Sequence, residues 1–438
     1  MVFLSSRVVI DLLKRLFFGQ TAGQNAAFIA FLFLVPMLGS EGVQAQAVDG
    51  ADADKQTIQM LMRRLDQLEA RVAQLEAGKT PAAVTQPAPT PSGVPARTET
   101  EPPAEHSEPE RMDMTKTLMK IRGFGDVNFH GDNRKGDTTS FTLGQLDLFV
   151  TSDISEKFKF LSEIVFEAGK DNIFGVDVER YLLQYSPNDY FNLSAGRYHT
   201  AIGYYNTAYH HSTWLQTATG RPFLFQFEDN GGILPIHNVG VSATGMIPSG
   251  RLGLHYVAEV GNGRASSSPN AEAVQNTVDE NNGKSFNLGF YFRPTAVRGL
   301  QAGVSVYHDG LRPIALPAIS EFIVAAHAIV VRPNFEWLNE ALVIRHAPDG
   351  TSHVFDTPGF YTQLSRRFGS YRPYVRYQYV NASDAEPVFP QVGLQQGPSI
   401  GVRYDPSESV ALKLQYDHTT LRRQPSTDGL NLQLGFTF

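Results

Sequence analysis

The sequence offers few residues that could carry out covalent or metal chemistry, and the adjacent pair His210-His211 comes nearest. Imidazole is a common zinc ligand, but adjacent residues in a loop rarely point at one ion, and no second group of acids or histidines is placed beside them. The H-E-x-x-H, G-x-S-x-G and P-loop patterns do not occur, and the chain has no Cys. We therefore predict no catalytic residue, no metal site and no cofactor.

Two other sets of residues could act on a solute without breaking a bond. The first combines aromatic and ionisable side chains in a long break at 200–236, namely Tyr204, Tyr209, His210, His211, Trp214, Arg221, Glu228 and Asp229. The second set is basic and consists of Arg367, Arg372, Arg376, Arg403 and Lys413. If Glu228 and Asp229 face the basic set across an opening, the field between them would orient dipolar solutes and favour anions along the basic side. Alternatively, the basic groups only satisfy hydrogen bonds and ion pairs.

The segments that must position these residues alternate with a period of two from about Met119 to the end of the chain. At the end, Leu430, Leu432, Leu434, Phe436 and Phe438 alternate with polar residues or Gly, which gives one apolar and one polar face. Sixteen such strands are predicted, near 119–130, 141–152, 157–168, 176–186, 190–199, 237–247, 251–261, 285–293, 301–308, 320–332, 335–346, 358–368, 371–380, 398–405, 410–418 and 429–438. An all-β domain over 119–438 follows.

The breaks between these strands alternate between short turns, such as 333–334, and longer polar loops. A β-sandwich gives no reason for this sorting, whereas a transmembrane antiparallel β-barrel has tight turns at one end and long loops at the other. Strands of about ten residues tilted by about 45° rise roughly 24 Å, enough to cross an outer membrane. In a ring of sixteen, the break at 200–236 faces the point between strands thirteen and fourteen. Fourteen or eighteen strands stay open, because the segments near Gln301 and Ile323 alternate poorly.

Residues 1–47 are predicted to be a secretory signal peptide. Arg7, Lys14 and Arg15 precede a short apolar run at 26–38, and Ala45-Gln46-Ala47 supplies an A-x-A cleavage site. The alternative is a transmembrane anchor, for which the apolar run is short.

Residues 52–78 are predicted to form an α-helical coiled coil, followed by a Pro-rich linker at 79–115. The heptad positions and their flanking charges are Ile58, Leu61, Arg64, Leu65, Leu68, Glu69, Arg71, Val72, Leu75 and Glu76. The apolar residues at a and d alone favour two strands. The tandem R-h-x-x-h-E segments at 64–69 and 71–76 resemble short trimeric coiled coils, and we favour three. A solvated helix without partners is the remaining alternative.

Composition excludes two broad classes of protein. The formal net charge of -7 gives no support for nucleic-acid binding. A hydrophobic fraction of 42% and a mean hydropathy of -0.21 argue against a bundle of transmembrane helices.

Together, the signal peptide, the tandem heptads, the Pro-rich stalk, the sixteen strands and the closing Leu434-Gly435-Phe436-Thr437-Phe438 resemble bacterial outer-membrane porins, in particular the phosphate-selective O/P-like group with an N-terminal periplasmic coiled coil. The resemblance implies a homotrimer in outer-membrane lipid, with the coiled coil in the periplasm and in contact with the cell wall. It also implies that Phe436 and Phe438 belong to a signal read by the barrel assembly machinery.

What the resemblance implies for function is a water-filled channel, not an enzyme, in which the loop 200–236 narrows the path of small hydrophilic or anionic solutes. Acidic residues outnumber basic ones, 44 to 37. We therefore expect a general pore with a mild anion preference rather than phosphate selectivity. The alternatives are a barrel-anchored envelope tether and an outer-membrane hydrolase.

Overall fold

The computed structural model describes residues 118–169, 172–209, 213–228, 231–264, 277–314 and 316–438. The signal peptide, the coiled coil and the linker predicted above lie outside these residues. The strands are β1 (Leu118–Asp132), β2 (Ser140–Asp153), β3 (Phe158–Ala168), β4 (Phe174–Asn188), β5 (Phe191–His199), β6 (His237–Ile247), β7 (Leu254–Gly261), β8 (Ser285–Phe292), β9 (Leu300–Leu311), β10 (Ile319–Arg332), β11 (Phe335–Pro348), β12 (Phe355–Arg366), β13 (Tyr371–Asn381), β14 (Leu394–Ser407), β15 (Val410–Leu421) and β16 (Thr427–Thr437).

The sixteen strands form one closed barrel. Each strand pairs antiparallel with its neighbours in sequence, and β1 pairs with β16 to close the ring. The predicted all-β barrel and its strand number are confirmed, and counts of fourteen and eighteen are wrong. β9 and β14 are longer than predicted, because their backbone pairing with β10 and with β13 continues beyond 301–308 and 398–405.

Side chains alternate between the two faces of the barrel wall, as a strand requires. Apolar residues such as Val178, Leu288 and Leu432 are exposed on the outside. Polar residues such as Glu259 and Gln433 are buried on the inside. The average composition therefore looks soluble although one whole surface of the barrel is apolar.

The barrel is closed by glycines of β1 that lie beneath the two terminal phenylalanines. Gly125 pairs with Phe436, and Gly123 exchanges backbone hydrogen bonds of 2.8 and 2.9 Å with Phe438. A Cβ atom at Gly125 would lie 2.6 Å from Cζ of Phe436. Only glycine therefore leaves room for the aromatic rings at this seam.

The interior of the barrel is not uniformly open, because part of it is filled by a packed apolar cluster. Inward side chains of β9, β10, β11, β12 and β13 form one apolar cluster with residues of the segment 202–236. Ile323, Leu338 and Ile344 are each at most 1% exposed. A loop packed against this wall removes these side chains from water, which explains why the segment around Ile323 is apolar on both faces.

The helical elements are short and lie in the breaks between strands. Helix α1 (Tyr205–Ala208) and the 3₁₀ turns Thr213–Leu215 and Phe223–Phe225 belong to the segment between β5 and β6. A further 3₁₀ turn, Gly250–Leu252, lies between β6 and β7. Within the described residues, no helix is long and apolar enough to cross a membrane.

Candidate functional site

The segment 200–236, here called the inner loop, leaves the barrel wall at β5 and returns to it at β6. Its two ends are joined by a hydrogen bond of 2.8 Å from Thr200 N to Ile236 O. Between them it packs against inward side chains of β11, β13 and β15. The inner loop therefore crosses the lumen, as a constriction loop would. Its contacts with the wall determine which part of the lumen stays open.

Glu340 of β11 binds the start of α1. Its carboxylate accepts hydrogen bonds from Tyr204 N at 2.5 Å, Tyr205 N at 2.9 Å and the Tyr361 hydroxyl at 2.7 Å. The first N–H groups of a helix have no partner within the helix, and a carboxylate is well suited to accept from them. Glu340 is 2% exposed, so these bonds form away from water. It fixes the first turn of the inner loop to the wall.

Glu336 lies four residues before Glu340 on the same inward face of β11 and holds later residues of the inner loop. It accepts hydrogen bonds from the Tyr209 hydroxyl and the Thr217 hydroxyl, both at 3.2 Å. The amide of Gln363 on β12 donates to its other oxygen at 2.8 Å. Two acids on one strand therefore supply the acceptors that the loop's donors need.

The basic residues of β13, β14 and β15 supply hydrogen-bond donors to carbonyl oxygens of the inner loop, whereas the acids of β11 supply acceptors. Arg376 donates to the carbonyl oxygens of Thr219 and Gly220, at 3.0 and 3.1 Å. Arg403 donates to the carbonyl oxygens of Trp214 and Gln216, at 2.7 and 2.9 Å. Lys413 donates to the carbonyl oxygens of Thr213 and Ala218, at 2.5 and 3.2 Å.

These contacts bury the basic side chains. Arg376, Arg403 and Lys413 are 2%, 9% and 1% exposed, and all point inward as the alternation predicted. The expectation that they line open water is wrong, because the inner loop reaches across the barrel and covers them. They act as anchors for the loop, which is the alternative that the sequence left open.

Arg372 and Arg367 take different positions from the three anchors. Arg372 is half-buried and donates to the Thr217 hydroxyl at 3.4 Å. Arg367 follows the last residue of β12 and lies in the turn to β13, where it is exposed and donates to the carbonyl of Gly369 at 2.9 Å. Its guanidinium is 3.8 Å from Asp405. Arg367 therefore belongs to the rim of the barrel and not to a pore wall.

Aromatic rings form the body of the inner loop. The Tyr205 ring lies 4.5 Å from the Tyr209 ring and 5.5 Å from the Phe225 ring, between centroids. The Arg221 guanidinium lies 4.2 Å from the centre of the Phe227 ring and 5.2 Å from that of Tyr205, and Arg221 is only 6% exposed. Burial raises the pKa of Tyr205 to about 12, so its hydroxyl stays protonated and donates to Gln216 at 3.0 Å.

Glu228 fixes the returning end of the inner loop. Its carboxylate accepts from Ile236 N at 2.7 Å and from His237 N at 3.2 Å, and it lies 3.5 Å from the His237 ring. Burial alone would raise the pKa of Glu228, but the charge of His237 and the hydrogen bonds lower it below the ordinary value. Glu228 is therefore tied to β6 and does not face an open basic wall. His210, His211 and Asp229 lie outside the described residues.

Trp214 carries the inner loop to the far side of the barrel. Its ring centroid is 6.1 Å from that of Phe124 on β1, and the Arg122 and Arg403 guanidinium groups lie 5.2 and 6.0 Å from its centre. Cations over an indole ring are held by its electron-rich face. The loop is thus attached at β11, along β13 to β15, and beside β1.

A cavity of about 890 Å³ lies at the long-loop end, between residues that the structure describes. It is lined by residues of β1, β15 and β16, by residues 390–395, and by Phe223 and Gln226 of the inner loop. Its arginines are paired: Arg134 lies 2.7 Å from Asp132, while Arg422 and Arg423 lie 2.7 and 3.0 Å from Asp384. The cavity is therefore lined by polar groups, and its arginines are neutralised by neighbouring acids.

Sequence reasoning missed Glu336, Glu340 and the apolar wall that the inner loop covers. The available signal was the run Ile319–Arg332, in which apolar residues occupy both faces of a strand. Apolar residues on the inward face as well as the outward face indicate that something covers the strand from inside, and here the inner loop does so. Among the described residues, no group of three or more His, Cys, Asp or Glu side chains could hold a metal ion.

No family model matches the chain, and no curated protein matches it. Solved structures match its barrel. The anion-selective porin from Comamonas acidovorans has a TM-score of 0.54 at 13% identity, over 74% of this chain and 100% of that one. The outer membrane channel DcaP of Acinetobacter baumannii has a TM-score of 0.51 at 13% identity, over 74% and 98%.

A third match is OmpF of Salmonella typhi in complex with daunomycin, with a TM-score of 0.50 at 11% identity, over 73% of this chain and 97% of that one. Identities this low bear on the fold alone. The barrel of this chain has the fold of the sixteen-stranded outer-membrane porins.

Proposed function

We propose that the protein is an outer-membrane porin, a channel for passive diffusion of small hydrophilic solutes. The observation that carries the proposal is the closed sixteen-stranded barrel whose inner loop is clamped across the lumen. Apolar residues cover the outside of the barrel, so it suits a lipid bilayer and not water. A loop anchored by buried bonds narrows the path permanently, which sets a size limit for solutes.

The inner loop is the proposed constriction, and its residues Tyr204, Tyr209, Trp214, Arg221 and Glu228 hold it in place. The proposed channel has no marked preference for anions. The basic groups that would have provided it bind loop carbonyls, and the arginines of the cavity at the long-loop end are paired with acids. Phosphate selectivity, which needs a dense row of free basic groups, has no support in these contacts.

The proposal is tested by reconstituting the full chain in planar bilayers and in liposomes. Stable single-channel steps and swelling in sugars and amino acids up to a size limit are the expected results. A channel without strong anion or cation preference in a salt gradient is also expected. Absence of conductance in correctly folded, heat-modifiable protein would refute the porin function.

We further propose a homotrimer whose coiled coil, 52–78, lies in the periplasm. The tandem heptads support a third strand, and a Pro-rich linker would separate the helix from the barrel. Contact of this helix with the cell wall is part of the same proposal. Phe436 and Phe438, whose rings lie over glycines of β1, remain the proposed signal for the barrel assembly machinery.

Two alternatives differ in what they predict for simple experiments. A barrel-anchored tether loses its role when residues 52–110 are deleted, whereas a porin keeps its conductance and loses only trimer stability. An outer-membrane hydrolase would cleave lipid or peptide substrates in detergent without conducting ions. Measuring conductance and hydrolase activity on one preparation separates these classes.

A further inference from the structure

The charged residues at the short-turn end of the barrel are divided between two arcs. The turns at 154–157, 189–190 and 408–409 each contain one acid, Glu156, Asp189 and Glu408. The turns at 248–253, 293–299, 333–334 and 367–370 contain no acid. These four turns and the strand ends beside them carry six arginines: Arg251, Arg293, Arg298, Arg332, Arg366 and Arg367. One half of the rim, from β6 to β13, is therefore purely basic.

Four of these arginines have free charge. Arg251, Arg298, Arg332 and Arg366, here called the arginine arc, are exposed, and none forms an ion pair within the described residues. Arg332 donates to the carbonyl of Arg298 at 3.0 Å, and Thr295 N donates to the carbonyl of Arg251 at 3.0 Å. These bonds join the turn at 293–299 to the turn at 248–253 on one side and to the end of β10 on the other, so the arginines lie along one edge.

Apolar side chains are exposed between the members of the arginine arc. Leu252, Val297 and Phe368 are 48%, 41% and 57% exposed, and the Arg366 guanidinium lies 5.3 Å from the centre of the Phe368 ring. Arg332 and Arg366 also share the outward-facing parity of their strands. A surface that combines outward cations with exposed apolar groups fits the boundary between headgroups and acyl chains.

We propose that the arginine arc binds the phosphate groups of anionic phospholipids in the leaflet at the short-turn end. The proposal rests on the membrane placement argued under the proposed function. A guanidinium can hold two phosphate oxygens at once, and each basic group close to an anionic leaflet gains about 1 kcal/mol. The exposed apolar side chains between the arginines contact the first methylenes of the same lipids.

The binding of lipid is measured directly by native mass spectrometry of the full chain, after exchange into micelles with equal amounts of phosphatidylglycerol and phosphatidylcholine. The test variant is R298Q/R332Q/R366Q. The matched control, K120Q/K157Q/K159Q, removes three positive charges from the other half of the same rim. Excess inorganic phosphate at constant ionic strength is added in a separate arm.

The native protein should retain phosphatidylglycerol in preference to phosphatidylcholine. The arginine variant should lose about fivefold of this preference for each charge removed, whereas the lysine control should keep it. Equal retention in the arginine variant and the native protein would overturn the proposal, and so would an equal loss in the control. Displacement of the lipid by inorganic phosphate would show a site for free anions and would also overturn it.

Conductance of the same preparations distinguishes this proposal from the proposed function. A protein that does not conduct but still enriches anionic lipid through the arginine arc would refute the channel and leave the lipid site standing. A protein that conducts ions but shows no preference for anionic lipid would refute the lipid site and leave the channel standing.

Discussion

Replacing Glu340 by Gln should release the first turn of the inner loop. The two oxygens of the Glu340 carboxylate serve different backbone amides: Oε2 accepts from Tyr204 N and Oε1 from Tyr205 N. An amide side chain keeps only one oxygen and points an NH₂ group at the other N–H. One buried backbone donor is therefore left without an acceptor in either rotamer, while the shape of the side chain is unchanged.

The magnitude follows from these bonds. A hydrogen bond to a charged group contributes about 1.5 to 3 kcal/mol, and a stranded buried donor costs about 1 to 3 kcal/mol more. Since the change also removes the cost of burying a charge, we expect a net loss of about 3 kcal/mol for local opening of residues 204–209. Amide exchange of this segment should then become about 10²-fold faster, and single-channel current should become noisier.

Hydrogen exchange with mass spectrometry on peptides from the inner loop is the measurement, and Tyr361→Phe is the control. It removes only the hydroxyl bond to Glu340 at 2.7 Å and leaves both amide bonds in place. This should cost about 1 kcal/mol and speed exchange by about fivefold. Equal exchange in E340Q and the native protein would show that the carboxylate does not hold the loop.

Three further predictions concern the anchors, the seam and the return of the loop. In R376Q/R403Q, the ratio of anion to cation permeability should stay unchanged while chymotrypsin cleaves the inner loop faster; a shifted ratio with an intact loop would mean that these groups line the pore. Gly125→Val should lower the temperature of the heat-modifiable gel shift, because its side chain meets the Phe436 ring at a cost of about 1 to 3 kcal/mol, whereas Gly175→Ala, with open space around it, should not. Because the pKa of Glu228 is lowered in the folded protein, the stability that Glu228 gives to the loop is present above the ordinary pKa of 4.5 and is lost as the pH falls below that value. Amide exchange of the loop should therefore rise as the pH is lowered from about 5 to about 3 in the native protein, and it should stay flat in E228Q.

The strands could be predicted from sequence because the alternation of apolar and polar residues within each strand shows which face is apolar and which is polar. All sixteen expected strands occur, since lipid on one side and polar groups on the other impose the same period along every strand. The identity of the long crossing loop could be predicted as well, because its aromatic side chains would be costly to expose. These features depend on local composition.

The contacts of the loop could not be predicted, because they depend on how far it reaches. The alternation correctly predicts that Arg376, Arg403 and Lys413 point inward. It contains no information on which part of the chain fills the barrel beside them. Glu336 and Glu340 look like any other inward acids until the loop's N–H groups are placed against them. The poor alternation around Ile323 instead marks a strand whose inward face packs against the inner loop and whose outward face is also apolar.

The division of donors and acceptors explains why the inner loop needs two chemically opposite walls. A segment that crosses a lumen has few backbone partners of its own, and every unpaired N–H or C=O away from water is costly. Here β11 supplies carboxylates to the loop's N–H and hydroxyl groups, and β13 to β15 supply cations to its carbonyl oxygens. The carboxylates and cations that could otherwise set an electric field across an open lumen are bound to groups of the inner loop instead. Selectivity by charge and a firmly held inner loop therefore compete for the same side chains, and in this chain Arg376, Arg403 and Lys413 bind the loop.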